Sequence, residues 1–566
     1  MKKVILSLIA LCSICSAHAL KFEYKGIWYD TNTNVFPPGG NVSVCSKTVD
    51  WQASSYSGDI VIPEKVIYYP NPNDPLYGDV FYEYTVTAVA ENTFAGDADL
   101  QSVTLPNTIT SIGQGSFSQC GIKSITLPAG VKTVAPYAFH DSELLETVIM
   151  PGVTRIESQA FTGCESLENI TFGNLTYIGS YAFSYCAFKE FTIPESVTYI
   201  DNGAFQNCAS LEKLYYNPAN CEINTTVSYP MFSGCKKFAT LIFGDKVQVI
   251  PNYTFAFCSY LNKVVFPESL KTIGSYAFRG CYRLRSIIFP SSLLAIDSGA
   301  FYECSRLRFV TSFNLVPPAV GASAFYCLDE FATLYVPRKS LVEYRQASGW
   351  QAFYRIVRGF KDKAFLYEED EENEGKVSLV DYDDYLAQTI AIPQTVTSDG
   401  ATFTVTAVGA SDNYAGPFEN CAAVTAMSIP STVTKINLKA LWGCTNLMHL
   451  ECHATVPPTA AVEAFMDVPT DCALYVPDGS IDKYKERTGW GRFFTVKGDV
   501  ESIRRDDLQV SGKNGILTVK NAALGAQVEI FAITGQVIYK GFDTTIALPA
   551  GVYVVRVGGC AKKVII

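Results

Sequence analysis

Apolar positions along this chain return on a long, fixed period. From Phe94 onward phenylalanine recurs at 117, 139, 161, 183, 205, 232, 255, 278, 301 and 325. The step is 22 to 24 residues, except for 27 between Phe205 and Phe232. Ahead of each Phe stands a short β-like run closed by Pro or Gly, as in Ser102-Val-Thr-Leu-Pro106, Glu190-Phe-Thr-Ile-Pro194 and Lys263-Val-Val-Phe-Pro267. Proline has no N–H to donate, so it belongs where a strand stops. A Val-Thr-x-Ile turn follows, as in Val153–Ile156 and Val197–Ile200, and the spacing then predicts a short helical or 3-10 piece carrying Ala-Phe-x-x-Cys. A period of this size marks a solenoid, in which each turn of chain is covered only by the next. Burial of each Phe, Leu or Ile in such a stack stabilises by roughly 1.5–3 kcal/mol. The 27-residue step predicts a loop inserted on one face within Tyr215–Pro230.

The pattern around the array is itself duplicated. Leu334-Tyr-Val-Pro337, Tyr344, Gly349-Trp350 and Phe353 are echoed by Leu474-Tyr-Val-Pro477, Tyr484, Gly489-Trp490 and Phe493. Tyr84-Thr-Val-Thr-Ala-Val89 is echoed by Phe403-Thr-Val-Thr-Ala-Val408, and each opens a copy. The expected organisation is a β cap over 20–91, a first array with its end-piece over 92–360, a second cap over 361–412 and a short second array over 413–497. The end-piece Trp and Tyr are expected to cover the open end of the stack. The acidic run Glu368–Glu374 lacks calcium-loop spacing and is read as a solvated hairpin tip between the copies. From Leu508 to Ile566 short alternating runs such as Val528-Glu-Ile-Phe531 and Val552–Val557 predict a small antiparallel sandwich.

The consensus Leu-x-x-Ile-x-Ile-Pro-x-x-Val-x-x-Ile-x-x-x-Ala-Phe-x-x-Cys resembles the BspA-like class of bacterial leucine-rich repeats over about 94–336 and 418–476. The resemblance implies a mainly β leucine-rich repeat solenoid with a parallel sheet along one curved face. Ser142 and Val468 stand where the consensus has Cys, and Leu441 stands where it has Phe. The order Val-Glu-Ile-Phe, Gly535-Gln536, Leu548-Pro-Ala-Gly551-Val-Tyr553 and a final Lys-Lys-Val-Ile-Ile is similar to a C-terminal sorting domain of type IX secretion. That resemblance implies passage to the outer-membrane surface and attachment there.

Export also follows from the start of the chain. Lys2 and Lys3, the apolar run Val4–Ile14 and Ala17-His18-Ala19 read as a signal peptide over 1–19, too short to span a membrane. Past it remain 16 of the 18 cysteines. Cys120, Cys164, Cys186, Cys208, Cys235, Cys258, Cys281, Cys304, Cys327, Cys421 and Cys444 follow the period. Stacking gives them parallel Cβ vectors, whereas a disulfide needs converging ones, so they are read as buried thiols. Cys45, Cys221, Cys452, Cys472 and Cys560 lie off the columns.

Charged residues are 17% of the chain and the net charge is −11, which excludes a nucleic-acid surface of clustered Lys and Arg. No nucleophile elbow and no phosphate loop occurs. His449 and His453, with Cys452 between them, have an i, i+4 spacing that binds zinc on a helix, but here it falls on a strand. Neither enzyme activity, nor a cofactor, nor a metal is expected. What varies between repeats is the outward side of the β run, where Thr192, Tyr215, Ile242, Val265, Ile288 and Tyr335 are the candidate ligand-binding residues on the concave sheet. Apolar residues on adjacent strands make a contiguous patch of the kind that marks a binding site. The BspA-like resemblance implies adhesion to an extended protein partner, a host matrix or plasma protein or a bacterial surface protein. The alternative is a carbohydrate-binding surface using Tyr215, Tyr335 and Trp350.

Overall fold

A computed structural model describes residues 21–31, 40–47, 56–69, 81–224, 230–382, 387–410, 416–493, 495–498, 509–513, 516–520, 528–532, 536–541, 545–557 and 560–565. The signal sequence, most of the joint Gly498–Asp507 and Gly535 lie outside the described residues. The chain forms two compact units, Met1–Leu334 with Val342–Arg355, and Tyr335–Leu341 with Ile356–Ile566.

In the first unit each repeat gives one strand to each of two parallel ladders. The longer strands run Ser124–Thr126, Thr147–Met150 and Asn169–Phe172, then Glu190–Ile193, Lys213–Tyr216, Thr240–Phe243 and Lys263–Val265. The two-residue strands run from Ser111–Ile112 to Glu222–Ile223, then from Val249–Ile250 to Ala319–Val320. Side chains alternate across a strand, so Leu214 and Tyr216 are buried while Lys213 and Tyr215 face outward. Glu222 still pairs with Tyr199, so the extra length of the long step falls after Ile223.

The Ala-Phe piece of the first array is a run of hydrogen-bonded turns, not the short helix that the spacing predicts. The reason is two left-handed residues in each turn, such as Tyr137 (φ 57°) with Asp141 (φ 53°), and Tyr181 (φ 54°) with Tyr185 (φ 61°). A right-handed helix cannot pass through them. The turns instead bond along the stack: the Phe139, Phe161 and Phe183 N–H groups donate to Ala160, Ala182 and Ala204 carbonyls, each at 2.8 or 2.9 Å. The Phe rings form one column from Phe94 to Phe325, with centroids 5.1–5.7 Å apart. The helical pieces that do form stand mainly in the end-pieces, Leu341–Gln346 and Ile481–Glu486 among them.

The column cysteines beside these rings are free thiols and buried, apart from the exposed Cys327. Burial pushes the Cys120 thiol up to about 11, and Cys164, Cys258 and Cys444 are raised for the same reason. Several S–H groups point at a Phe carbonyl of the preceding repeat, among them Cys164 to Phe139 at 3.1 Å, Cys186 to Phe161 at 3.3 Å and Cys208 to Phe183 at 3.1 Å. Ser142 makes the same bond to Phe117 at 2.6 Å, which explains why it can stand in for Cys. Cys186→Ser is therefore expected to be more stable than Cys186→Ala by about 1 kcal/mol, the net value of one such bond. Urea unfolding of the pair checks this, and a Ser variant weaker than the Ala variant contradicts it.

The second unit repeats the opening of the first down to its irregularity. Asn41–Cys45 runs parallel to Tyr82–Val89 with a register shift between Val42 and Ser43. Lys376–Tyr382 runs parallel to Ala401–Val408 with the shift between Val377 and Ser378. The tip of the Phe365–Glu369 and Lys376–Tyr382 hairpin is solvated at Glu371–Glu374, but the acidic run is not solvated throughout. Glu368 and Glu369 are buried, and Arg338 bridges Glu369 and Glu374, each at 2.9 Å. A buried carboxylate requires such a partner. Toward the C-terminus, two antiparallel sheets share a core of Leu517, Ile530, Tyr553 and Val555.

Candidate interaction surface

The four-stranded part of the long ladder sets Thr192, Tyr215, Ile242 and Val265 directly beside one another. Thr192 is exposed, Val265 is 40% exposed, and Tyr215 and Ile242 are half-buried. Ile288, also half-buried, stands on the next strand, Ser286–Phe289. Lys213 borders the row, 3.1 Å from Glu190 and with its ammonium 5.6 Å above the Tyr215 ring. Parallel pairing thus turns positions 23–27 residues apart in sequence into one apolar strip.

Tyr335 does not belong to that strip. It is fully buried and lies in the second unit. The backbone at Gly359 comes so close that a β-carbon there would stand 2.7 Å from the Tyr335 ring. The strand Arg355–Asp362 is the hydrogen-bonded neighbour of the Tyr335 strand in the same sheet and brings Gly359 against the ring, and periodicity in the repeats carries no sign of it. Trp350 is equally buried, with its indole N–H donating to Pro318 O at 3.0 Å. The carbohydrate alternative loses both residues and keeps only Tyr215.

In the second unit the equivalent row reads Ser428, Glu451, Tyr475, Lys497 in register. His449 stacks on Tyr475 at 4.4 Å and donates to Glu451 at 2.8 Å; His453 lies 3.5 Å from Glu451 and 3.0 Å from Ser428 Oγ. Burial alone would raise the Glu451 carboxyl, but the two histidines outweigh it and hold it at about 2. Ser428 and Glu451 meet the same nitrogen of His453, Nε2. A serine nucleophile needs its carboxylate on the other ring nitrogen, so this is a polar cluster without triad geometry. The i, i+4 spacing of the histidines in the sequence carries no sign of this cluster; the period-2 match of His449 with Glu451 is the signal that points to their pairing.

A family model described as a BspA type leucine rich repeat region, in six copies, matches residues 87–212, 225–346 and 412–467, together more than half of the chain. The chain belongs to the BspA type leucine-rich repeat family. A second model, for a domain of unknown function (DUF6383), matches 497–566. No curated protein matches. Among solved structures, a leucine-rich repeat protein from Bacteroides ovatus is 23% identical, covering 60% of this chain and 100% of its own, with a TM-score of 0.36. The pneumococcal vaccine antigen PcpA is 18% identical over 86% of this chain and 100% of its own, with a TM-score of 0.35. A leucine rich cell surface protein from Faecalibacterium prausnitzii is 16% identical over 87% and 97%, with a TM-score of 0.20. Among the described residues no helix is long and apolar enough to cross a membrane.

Proposed function

We propose that this member of the repeat family is a non-catalytic adhesion protein displayed at the cell surface. An extended protein partner, either a host matrix or plasma protein or a surface protein of another bacterium, lies across Thr192, Tyr215, Ile242, Val265 and Ile288. The observation that carries this reading is the strip of Thr192, Tyr215, Ile242 and Val265 in register, apolar and aromatic side chains only partly covered on consecutive strands. Display rests on the signal sequence at 1–19 and on residues 508–566 acting as a type IX sorting domain. The division into caps, arrays and sorting domain at the boundaries given above belongs to the same proposal.

The test is binding of the full chain to immobilised matrix proteins, plasma proteins and bacterial surface extracts, beside a variant with Tyr215, Ile242, Val265 and Ile288 changed to Ser. A partner held at least a hundredfold more weakly by the variant is expected, since a few central residues dominate such interfaces. The variant's melting temperature should fall only modestly, because Val265 is open to solvent and Tyr215, Ile242 and Ile288 are half-buried, outside the core. Equal binding by both proteins would move the site off the ladder, and binding restricted to polysaccharides would replace the reading.

A further inference from the structure

The two end-pieces align residue for residue, Tyr344 with Tyr484 and Trp350 with Trp490, yet the second carries a charged cleft. It opens beside the helix Ile481–Glu486 and has a volume of about 470 Å³. Lys485, Arg487 and Arg492 line it, with one carboxylate, Glu486. The aligned positions of the first unit hold Arg345, Ala347, Ala352 and Gln346, and Glu330 stands where Thr470 lines the cleft. The second end-piece therefore has two net positive charges at a place where the first has none. Ion pairing does not remove them: among the described residues, none of Lys485, Arg487 and Arg492 lies within ion-pair distance of a carboxylate. The half-buried Arg492 guanidinium donates to the Phe465 carbonyl and, at 2.7 Å, to that of Val468. These bonds fix the side chain and leave its charge unneutralised. Gly491 keeps the wall bare, since a β-carbon there would stand 2.8 Å from Lys485 O. In the first unit Gln351 takes this place, with its amide 3.5 Å from Arg345 O.

We propose that this cleft is a binding site for a sugar phosphate. Two uncompensated positive charges, in a chain whose net charge is −11, match a phosphate monoester, which carries about −1.5 to −2 at pH 7, better than a single carboxylate. The exposed Arg487 presents a free guanidinium fork, which can take two phosphate oxygens in parallel, and Lys485 adds a mobile point charge beside it. The volume is that of a small-molecule site, within the usual range of roughly 300–1,000 Å³, so the cleft has room for a body behind the phosphate. Its walls decide the character of that body. The Thr470 and Thr488 hydroxyls line the cleft, the Lys485 carbonyl borders it at Gly491, and Val462 is the one large apolar side chain in the lining. Such groups suit a polyhydroxylated ring. No aromatic side chain stands among the lining residues, so a nucleotide base has nothing to stack on.

The experiment is calorimetric titration of the full chain with glucose 6-phosphate, inorganic phosphate, glucose, glucuronate and AMP. Glucose 6-phosphate is expected to bind best and inorganic phosphate more weakly, both weakened by salt. Glucose and glucuronate should stay silent at the same concentrations, and AMP should bind no tighter than inorganic phosphate. Arg487→Ala and Gly491→Gln install what the first end-piece already carries, so the fold should accept both. Each should lower the affinity for glucose 6-phosphate about tenfold, the scale of one lost hydrogen bond to a charged group. Lys483→Ala, on the same helix but outside the lining, should bind as the parent does, and so should the Ser variant of the ladder strip. Silence toward glucose 6-phosphate, equal binding of glucuronate, preference for AMP, undiminished binding by both cleft variants, or an equal loss in Lys483→Ala would overturn the assignment.

Discussion

Phe183→Ala is expected to destabilise the first unit by about 3–5 kcal/mol, the range for truncating a buried Phe. Its ring is fully buried and touches the column on both sides, Phe161 at 5.6 Å and Phe205 at 5.4 Å. It also meets Phe188 edge-on at 5.7 Å and Phe191 at 5.4 Å. Aromatic pairs contribute beyond the area they bury, so the loss belongs near the upper end of the range. A repeat stack is held by the sum of its repeats and the interfaces between neighbours, and this substitution weakens two interfaces at once. Phe183→Leu should cost only about 1–1.5 kcal/mol, as swaps of similar apolar volume do. Nature has placed Leu441 at this position in the second array, fully buried. Urea unfolding followed by circular dichroism separates the outcomes. A loss below about 1 kcal/mol for Ala, or equal losses for Ala and Leu, would show that the column does not hold the stack together.

The column itself was readable in the sequence because one Phe per 22–24 residues admits a single physical reading, a turn covered by the next turn. The inward side of the ladder was readable for the same reason: Leu214, Leu241 and Ile287 alternate with open positions, and burial follows. The outward side was readable only where the neighbouring strand belongs to a repeat. Tyr215 and Tyr335 occupy the same place in their repeats, yet Tyr335 is fully buried with Gly359 against its ring, while Tyr215 stays half-buried. A contact between residues of unrelated pattern leaves no mark in a periodicity. The turn geometry was hidden as well. Tyr, Gln and Asp at left-handed positions look like ordinary helix residues, and glycine, which would have marked the conformation, holds only some of these sites, Gly163, Gly203 and Gly280 among them.

Trp490→Ala should unfold the second array, and it separates an end-cap from a ligand platform. The indole is fully buried, packs on Phe465 at 4.9 Å and edge-on to Tyr484 at 5.1 Å, and donates to Pro458 O at 2.9 Å. The Tyr484 hydroxyl in turn donates to Ala454 O at 2.7 Å. Removing the indole opens a cavity and strips a buried carbonyl of its donor, for a loss of about 3–5 kcal/mol. The first unit builds the same cap from Trp350, on Phe325 at 5.4 Å and bonded to Pro318 O, so Trp350→Ala should lose a similar amount locally. The consequences should differ because the stacks differ in length. With eleven column phenylalanines in the first array, its far repeats keep their own interfaces when the end frays. The short array has few interfaces to fall back on, and its whole core shares the contact. Limited proteolysis should therefore clip Trp350→Ala near the end-piece alone and degrade the second array of Trp490→Ala throughout. A platform for sugars would give the opposite pattern, with normal protease resistance and a loss of glycan binding. An indole closed off from solvent cannot stack on a sugar without first being uncovered, and uncovering it removes the core contact that holds the last repeat.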